Sequence, residues 1–315
     1  MNKTLLLLLL LTVTGSTSLS AQDLKLFNLS RYEIDSTKSI AFISLSDVHF
    51  LSEHTDSLAV PDLTYIEADS AANYEYIRLN SAYRERFLSG TKLSETDKVF
   101  IYDYAADQLL SFKVKDLDVV ACLNIYGAEW PYGQYDYMIG FGISEKKLTG
   151  LDKYFTHALV YIGKESPFVK GQVKPVEWKK TKASDFPSKA LTYEDTAAFH
   201  EYLGDHQYHA GDTYSFERDS LNYFVRDYIL FTDDWLFAKQ LVVIDTKTGE
   251  AVCKKQYFSG ESLSFAPLDN QWTGTLFKNK PPVIFGFNYV SFGCPSITFL
   301  SKTEPDVYIN CDNRH

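Results

Sequence analysis

Three of the seven histidines fall within ten residues, His200, His206 and His209, interspersed with Glu201, Asp205 and Asp212. Imidazole and carboxylate groups are the ligands that zinc and similar transition ions take. The spacing is not that of a metalloprotease helix, where two histidines four apart share a face with a glutamate. Here the residue four after His200 is Gly204. A divalent metal site therefore needs the segment after Gly204 to fold back on a helix; otherwise the cluster is a polar, solvated loop. Asp47-Val48-His49 and His54 form a looser second group.

Two acidic places resemble hydrolytic equipment. Asp233 and Asp234 precede Trp235, and Glu129 precedes Trp130. Glycoside hydrolysis needs two carboxylates held at a set separation across a sugar bond. Adjacent residues on a strand point to opposite faces, so Asp233 and Asp234 read better as a turn between two strand runs than as a pair. No Gly-x-Ser-x-Gly elbow, P-loop or Gly-x-Gly-x-x-Gly fingerprint is present.

The segment from Tyr126 to Tyr137 carries Trp130, Tyr132, Tyr135 and Tyr137 among Gly127, Pro131 and Gly133. Glycine and proline mark it as a loop. Rings that stay partly exposed offer flat apolar faces with a polar tip, suited to a glycan, a peptide or a protein ligand. The plain alternative is that these rings cap one end of a β core.

Four cysteines bear on compartment as well as chemistry. Cys294 and Cys311 are 17 apart and flank a predicted strand pair, which makes them the expected disulfide. Cys122 and Cys253 are left as a second bridge or as buried thiols. No Cys-x-x-Cys spacing exists to support a zinc ribbon or a redox motif.

Export is the expectation from the first 21 residues. Lys3 gives a positive start, Leu5 to Leu11 are unbroken leucine, and small hydroxyl-bearing residues run to Ser20. That order is a secretory signal peptide (1–21), with a mature chain of 22–315 in the periplasm or outside the cell. The apolar run is about a dozen residues, short of the ~20 that span a bilayer. Leu19-Ser20-Ala21 resembles the front of a bacterial lipoprotein cleavage box, but Gln22 stands where that box needs cysteine. No lipid anchor is expected.

The elements that must position these groups are mainly strands. Runs of β-branched and aromatic residues recur between turn signals, among them Ile40–Leu45, Val119–Ile125, Tyr137–Ile143, Tyr223–Thr232, Leu236–Ile244 and Val283–Val290. Two helices interrupt them. Ala72, Tyr76, Leu79, Tyr83 and Phe87 form one apolar stripe, predicting a helix over about 70–89 capped by Ser70 and stopped at Gly90. Thr192 and Asp195 make a variant capping box for a second helix over 193–203, ended by Gly204. The expected fold is an irregular β-rich domain with two packed helices. A β-propeller is the alternative, because Val99–Asp103 and Leu241–Asp245 each end in Asp before a turn and a returning strand. The segment 164–189, with Pro167, Gly171, Pro175 and Pro187, reads as a surface excursion or linker.

Composition bounds the function. With 45% apolar and 23% charged residues the chain is globular, and 15% aromatic residues give it material for stacking surfaces. A net charge of -10 argues against nucleic acid and against anionic lipid as partners. The reading that follows is an exported, non-catalytic binding protein with an aromatic-bearing β surface. Alternatives are an envelope hydrolase acting on carbohydrate, and an inhibitor or immunity protein whose acidity steers it to a basic enzyme.

Overall fold

The computed structural model describes residues 24–49, 58–124, 129–204, 206–232, 234–260, 263–290 and 294–312. The expected signal peptide lies outside the described residues, as do Tyr126, Gly127, His54, Asp205 and Asp233. No helix among the described residues is long and apolar enough to cross a membrane.

The protein is mainly β. The first sheet has nine strands. In spatial order they are β10 (Val173–Pro175), β17 (Trp272–Gly274), β18 (Val283–Phe285), β20 (Ser296–Phe299), β21 (Val307–Asn310), β1 (Leu26–Asn28), β9 (Ala158–Gly163), β5 (Lys98–Asp103) and β6 (Gln108–Lys113). The second runs β2 (Ser30–Asp35), β3 (Lys38–Ser44), β8 (Tyr137–Ser144), β7 (Asp118–Leu123) and β4 (Tyr76–Arg78). The third runs β11 (Lys179–Thr181), β12 (Tyr208–Arg218), β13 (Leu221–Leu230), β14 (Leu236–Asp245) and β15 (Ala251–Phe258). A two-stranded ribbon joins β16 (Leu263–Phe265) to β19 (Asn288–Val290).

These sheets are unequal, and no four-stranded blade repeats among the described residues, so the propeller alternative is set aside. The two Asp-ended hairpins that suggested it do form, as β5–β6 and β14–β15, but in different sheets. Each is a local solution to a tight turn, not a copy of a unit.

Period-two burial ties the layers together. The inner face of the second sheet, including Ile43, Val119, Ile139 and Phe141, packs on Val99, Ile101 and Val160 of the first. On the opposite face of the first sheet, Phe100, Tyr102 and Tyr161 cluster with Phe299 and Ile309 of the same sheet and with Phe277. Tyr223, Val225, Leu241 and Val243 then seat the third sheet on Ile284, Phe287 and Leu300. Gly140 shows how close the β3–β8 approach is: an added Cβ would lie 1.8 Å from the Ile43 carbonyl oxygen.

Chain ends meet in the first sheet, where β1 pairs in parallel with β21 and antiparallel with β9. The Cys294–Cys311 disulfide is present, linking the residues before β20 and after β21. Cys122 and Cys253 are free and buried.

The second expected helix is found as α2 (Glu194–Leu203). Its box forms as read: the Asp195 carboxylate accepts from the Thr192 amide at 2.6 Å, and the Asp195 amide donates back to the Thr192 hydroxyl at 3.4 Å. Gly204, at φ 54, ends it. Phe199 and Leu203 seat this helix on the outer face of the third sheet.

Two expectations need correction. The stripe over 70–89 is not one helix but a 3-10 turn (Ala68–Tyr74), β4 and then α1 (Ser81–Thr91). Tyr76 and Ile77 are drawn into the ladder opposite Cys122 and Ala121, and Asn80, not Ser70, caps α1 by accepting the Tyr83 amide at 2.8 Å. Gly90 lies inside α1, which stops at Lys92 in the left-handed region. The run Val283–Val290 divides into two strands of different sheets, because Gly286 turns at φ 91 with its backbone against the Asn270 carbonyl. The segment 164–189 supplies β10 and β11 to two sheets and buries Phe168, Val173, Val176 and Phe186, while most of its other residues stay at the surface.

Candidate binding surfaces

The aromatic loop is built on β8 and on the turn before β4. Gly133 donates its amide to the Asp136 carboxylate at 2.7 Å, closing a short 3-10 turn that delivers Tyr137 into β8. Tyr137 is fully buried, and its hydroxyl donates to the Tyr74 carbonyl at 2.7 Å. From that anchor the rings run outward. Tyr132 stands edge-on to Tyr137 at 6.4 Å, Trp130 edge-on to Tyr132 at 5.1 Å, and Tyr74 tilts over Trp130 at 6.0 Å. Trp130, Tyr132 and Tyr74 are half-buried, while Tyr135 is exposed. Burial, then the nearby Glu75 carboxylate, pushes the Tyr132 phenol above its ordinary value. Edge-to-face contacts at these spacings favour fixed relative ring planes. Of the four predicted ligand-facing residues, Trp130, Tyr132 and Tyr135 reach the surface. Tyr137 is a packing residue, and Tyr74, distant in sequence, joins the platform.

The histidines come to one end of the third sheet without forming a centre. His200 sits in the last turn of α2 with its ring 6.5 Å from Tyr208. His209, near the start of β12, lies 4.7 Å from the Phe231 ring, with its Nδ1 buried and lacking a hydrogen-bond partner. His206 is exposed in the connection between them. No group of three His, Cys, Asp or Glu among the described residues is placed to hold a metal ion. His200 and His209 instead pack on Tyr208 and Phe231. His49 is likewise a packing residue, edge-on to Phe87 at 5.6 Å; burial, then Arg86, lowers its pKa.

That same end exposes Tyr202, Phe231 and Trp235. Asp234, at φ 54, is a turn residue: the Leu230 amide donates to the Trp235 carbonyl at 2.9 Å across it. Glu129 is exposed beside Trp130.

Two polar features escaped the sequence reading. In the third sheet a bulge between Ala210 and Thr213 re-aims Asp212, which takes the Lys180 amine at 2.7 Å and the Tyr214 hydroxyl at 3.3 Å. Further in, Asp227 and Lys239 are directly opposite in the β13–β14 ladder and form a buried ion pair at 2.6 Å. Its signal was available: both interrupt otherwise apolar strand runs.

A cleft of about 600 Å³ follows β15 and the connection 301–306. Its carboxylates Glu250, Glu304 and Asp306 are held by Lys302, Lys280 and Lys255 at 2.6, 3.1 and 3.0 Å. Lys302 keeps Glu250 below the ordinary carboxylate range, the opposite of what a general acid needs. No family model, curated protein or solved structure matches the chain.

Proposed function

We propose that the protein is an exported binding protein that engages its ligand through the Tyr74–Trp130–Tyr132 platform with Tyr135 at its rim. The observation that carries this reading is the pre-set ring chain: three half-exposed aromatics in edge-to-face and tilted contact, tied to the core by the buried Tyr137. Binding then orders little that is not already ordered, which keeps the entropic cost low. A sugar ring or an apolar peptide side chain has the flat face such a platform takes. The Cys294–Cys311 disulfide fits the oxidising compartment that the leader-like N-terminus implies. The net charge of -10 favours a basic protein partner by steering, the form this role takes in an inhibitor or immunity protein.

The test is a fluorescence titration with cellohexaose, chitohexaose and a proline-rich peptide, on the wild type and Trp130→Ala. A spectral change with one probe, abolished by Trp130→Ala and weakened by Tyr135→Ala at unchanged thermal midpoint, is expected. A silent wild type, or a response that survives Trp130→Ala, removes the platform from the function.

A further inference from the structure

A second cleft, of about 430 Å³, is lined by Lys98, Ser111, Phe112, Lys113, Asp116 and Lys147. In the β5–β6 ladder Lys98 is directly opposite Lys113, which puts two cationic side chains on one face of the pair. Like charges so placed repel and destabilise the pairing. Ser111, two residues before Lys113, shares that face, and Gly163 of β9 is the other cross-strand neighbour of Lys98. The third amine comes from a separate element, the 3-10 turn Glu145–Lys147 after β8.

Nearby carboxylates do not neutralise the group. Glu95 is engaged by Arg84, Glu145 by Arg31 and Asp118 by Arg78, and Asp97 caps the Ser94 amide. Among the described residues none of the three lysines is drawn into an ion pair, and Asp116 alone opposes them at the cleft. Two positive charges are thus left in excess, in a chain whose overall balance is -10. Edge protection explains a lysine on β6, the outermost strand. It does not explain Lys98, which lies on the inner strand β5.

We propose that Lys98, Lys113 and Lys147, with the Ser111 hydroxyl, form a site for a single phosphate or sulfate group, whose charge relieves the cross-strand repulsion. The global acidity excludes a nucleic-acid track, which needs many such contacts in a row, but not one oxyanion. The group could arrive free, on a sugar or on a lipid headgroup, and the chemistry of the site is common to all three. This site is separate from the aromatic platform, so the two readings stand or fall independently.

The experiment measures thermal midpoint and affinity with three probes: inorganic phosphate, glucose 6-phosphate, and phosphatidylglycerol vesicles set against pure phosphatidylcholine vesicles. Sodium chloride at matched ionic strength is the control. Phosphate is expected to raise the wild-type midpoint beyond chloride. Lys98→Gln and Lys113→Gln should each weaken binding about tenfold, the value of one charge-assisted contact. Because each also removes a repulsion, neither should lower the midpoint of the free protein. Lys247→Gln, in the distant β14–β15 turn, should change nothing. Tighter binding of glucose 6-phosphate supports the site with a sugar source. Retention by phosphatidylglycerol vesicles alone supports it with a lipid source, provided the lysine variants lose it. No binding to any probe, an effect that chloride reproduces, or binding that persists in the lysine variants overturns the proposal.

Discussion

The Asp227–Lys239 pair permits a quantitative test of how the third sheet is held together. Its side chains are only 13% and 6% exposed, with Oδ1 and Nζ 2.6 Å apart, and the Lys239 amine also lies 5.4 Å from the Phe265 ring centre. Removing one member of such a pair leaves an uncompensated buried charge and costs about 3–5 kcal/mol. In Asp227→Leu the amine keeps its ring contact, worth about 1 kcal/mol, so the cost belongs at the low end, about 3 kcal/mol. Lys239→Met strands a carboxyl that burial already raises above its ordinary value. A carboxyl with a raised folded-state pKa loses stability as pH rises through that value and recovers it below. Lys239→Met should therefore be less destabilised at pH 5 than at pH 7, and Asp227→Leu should show no such recovery. The double variant Asp227→Leu/Lys239→Met replaces the pair with apolar volume and should fall within about 1 kcal/mol of wild type. Urea denaturation followed by tryptophan fluorescence reads all four corners of the cycle, provided the slope is unchanged. Single variants that cost under about 1 kcal/mol, or a double variant worse than either single, refute the assignment of this pair as a mutually dependent buried unit.

Two further outcomes follow from other contacts. Cys294→Ser/Cys311→Ser, which opens a closure of 17 residues, should lose about 3 kcal/mol in urea, and adding reductant to wild type should reproduce the loss. Asp195→Asn should cost about 2 kcal/mol by removing the cap on α2 and the partly buried pair with Lys254 at 2.6 Å. Burial acts to raise the Asp195 carboxyl, but Lys254 and Thr192 outweigh it and hold it below the ordinary range. Its contribution is thus present at neutral pH and fades as pH drops below about 4, where wild type and Asp195→Asn should converge in stability.

Local signals were legible where the structure uses local physics. The Thr192–Asp195 box, Gly204 and the strands over Tyr137–Ser144 and Leu221–Leu230 sit where spacing placed them within a residue or two. The failure at 70–89 has a definite cause. Tyr83 and Phe87 are buried helix residues, as the stripe requires, but Tyr76 belongs to the same stripe only by coincidence of number. Its backbone pairs with Cys122, 46 positions away, and a ladder partner at that distance overrides a four-residue spacing. The capping signal of Asn80 was present, but Ser70 offered an equally good one ten residues earlier.

The sites were less legible than the fold, and for one reason. A binding surface on sheets is assembled by register, and register is non-local. Trp130, Tyr132 and Tyr135 stood out because a single loop carries them, whereas Tyr74 reaches Trp130 only because β4 docks on β7. The three histidines show the converse: closeness in sequence brought them to one end of the sheet, and packing on Tyr208 and Phe231 separated their roles. Lys98, Lys113 and Lys147 have no sequence relation at all. Two meet because β5 and β6 pair with Lys98 opposite Lys113, and a slip of one residue would send Lys113 to the buried face now held by Phe112. The registry that fills the core therefore also creates the charged cleft, and a search for function in such a chain has to begin from strand pairing instead of residue spacing.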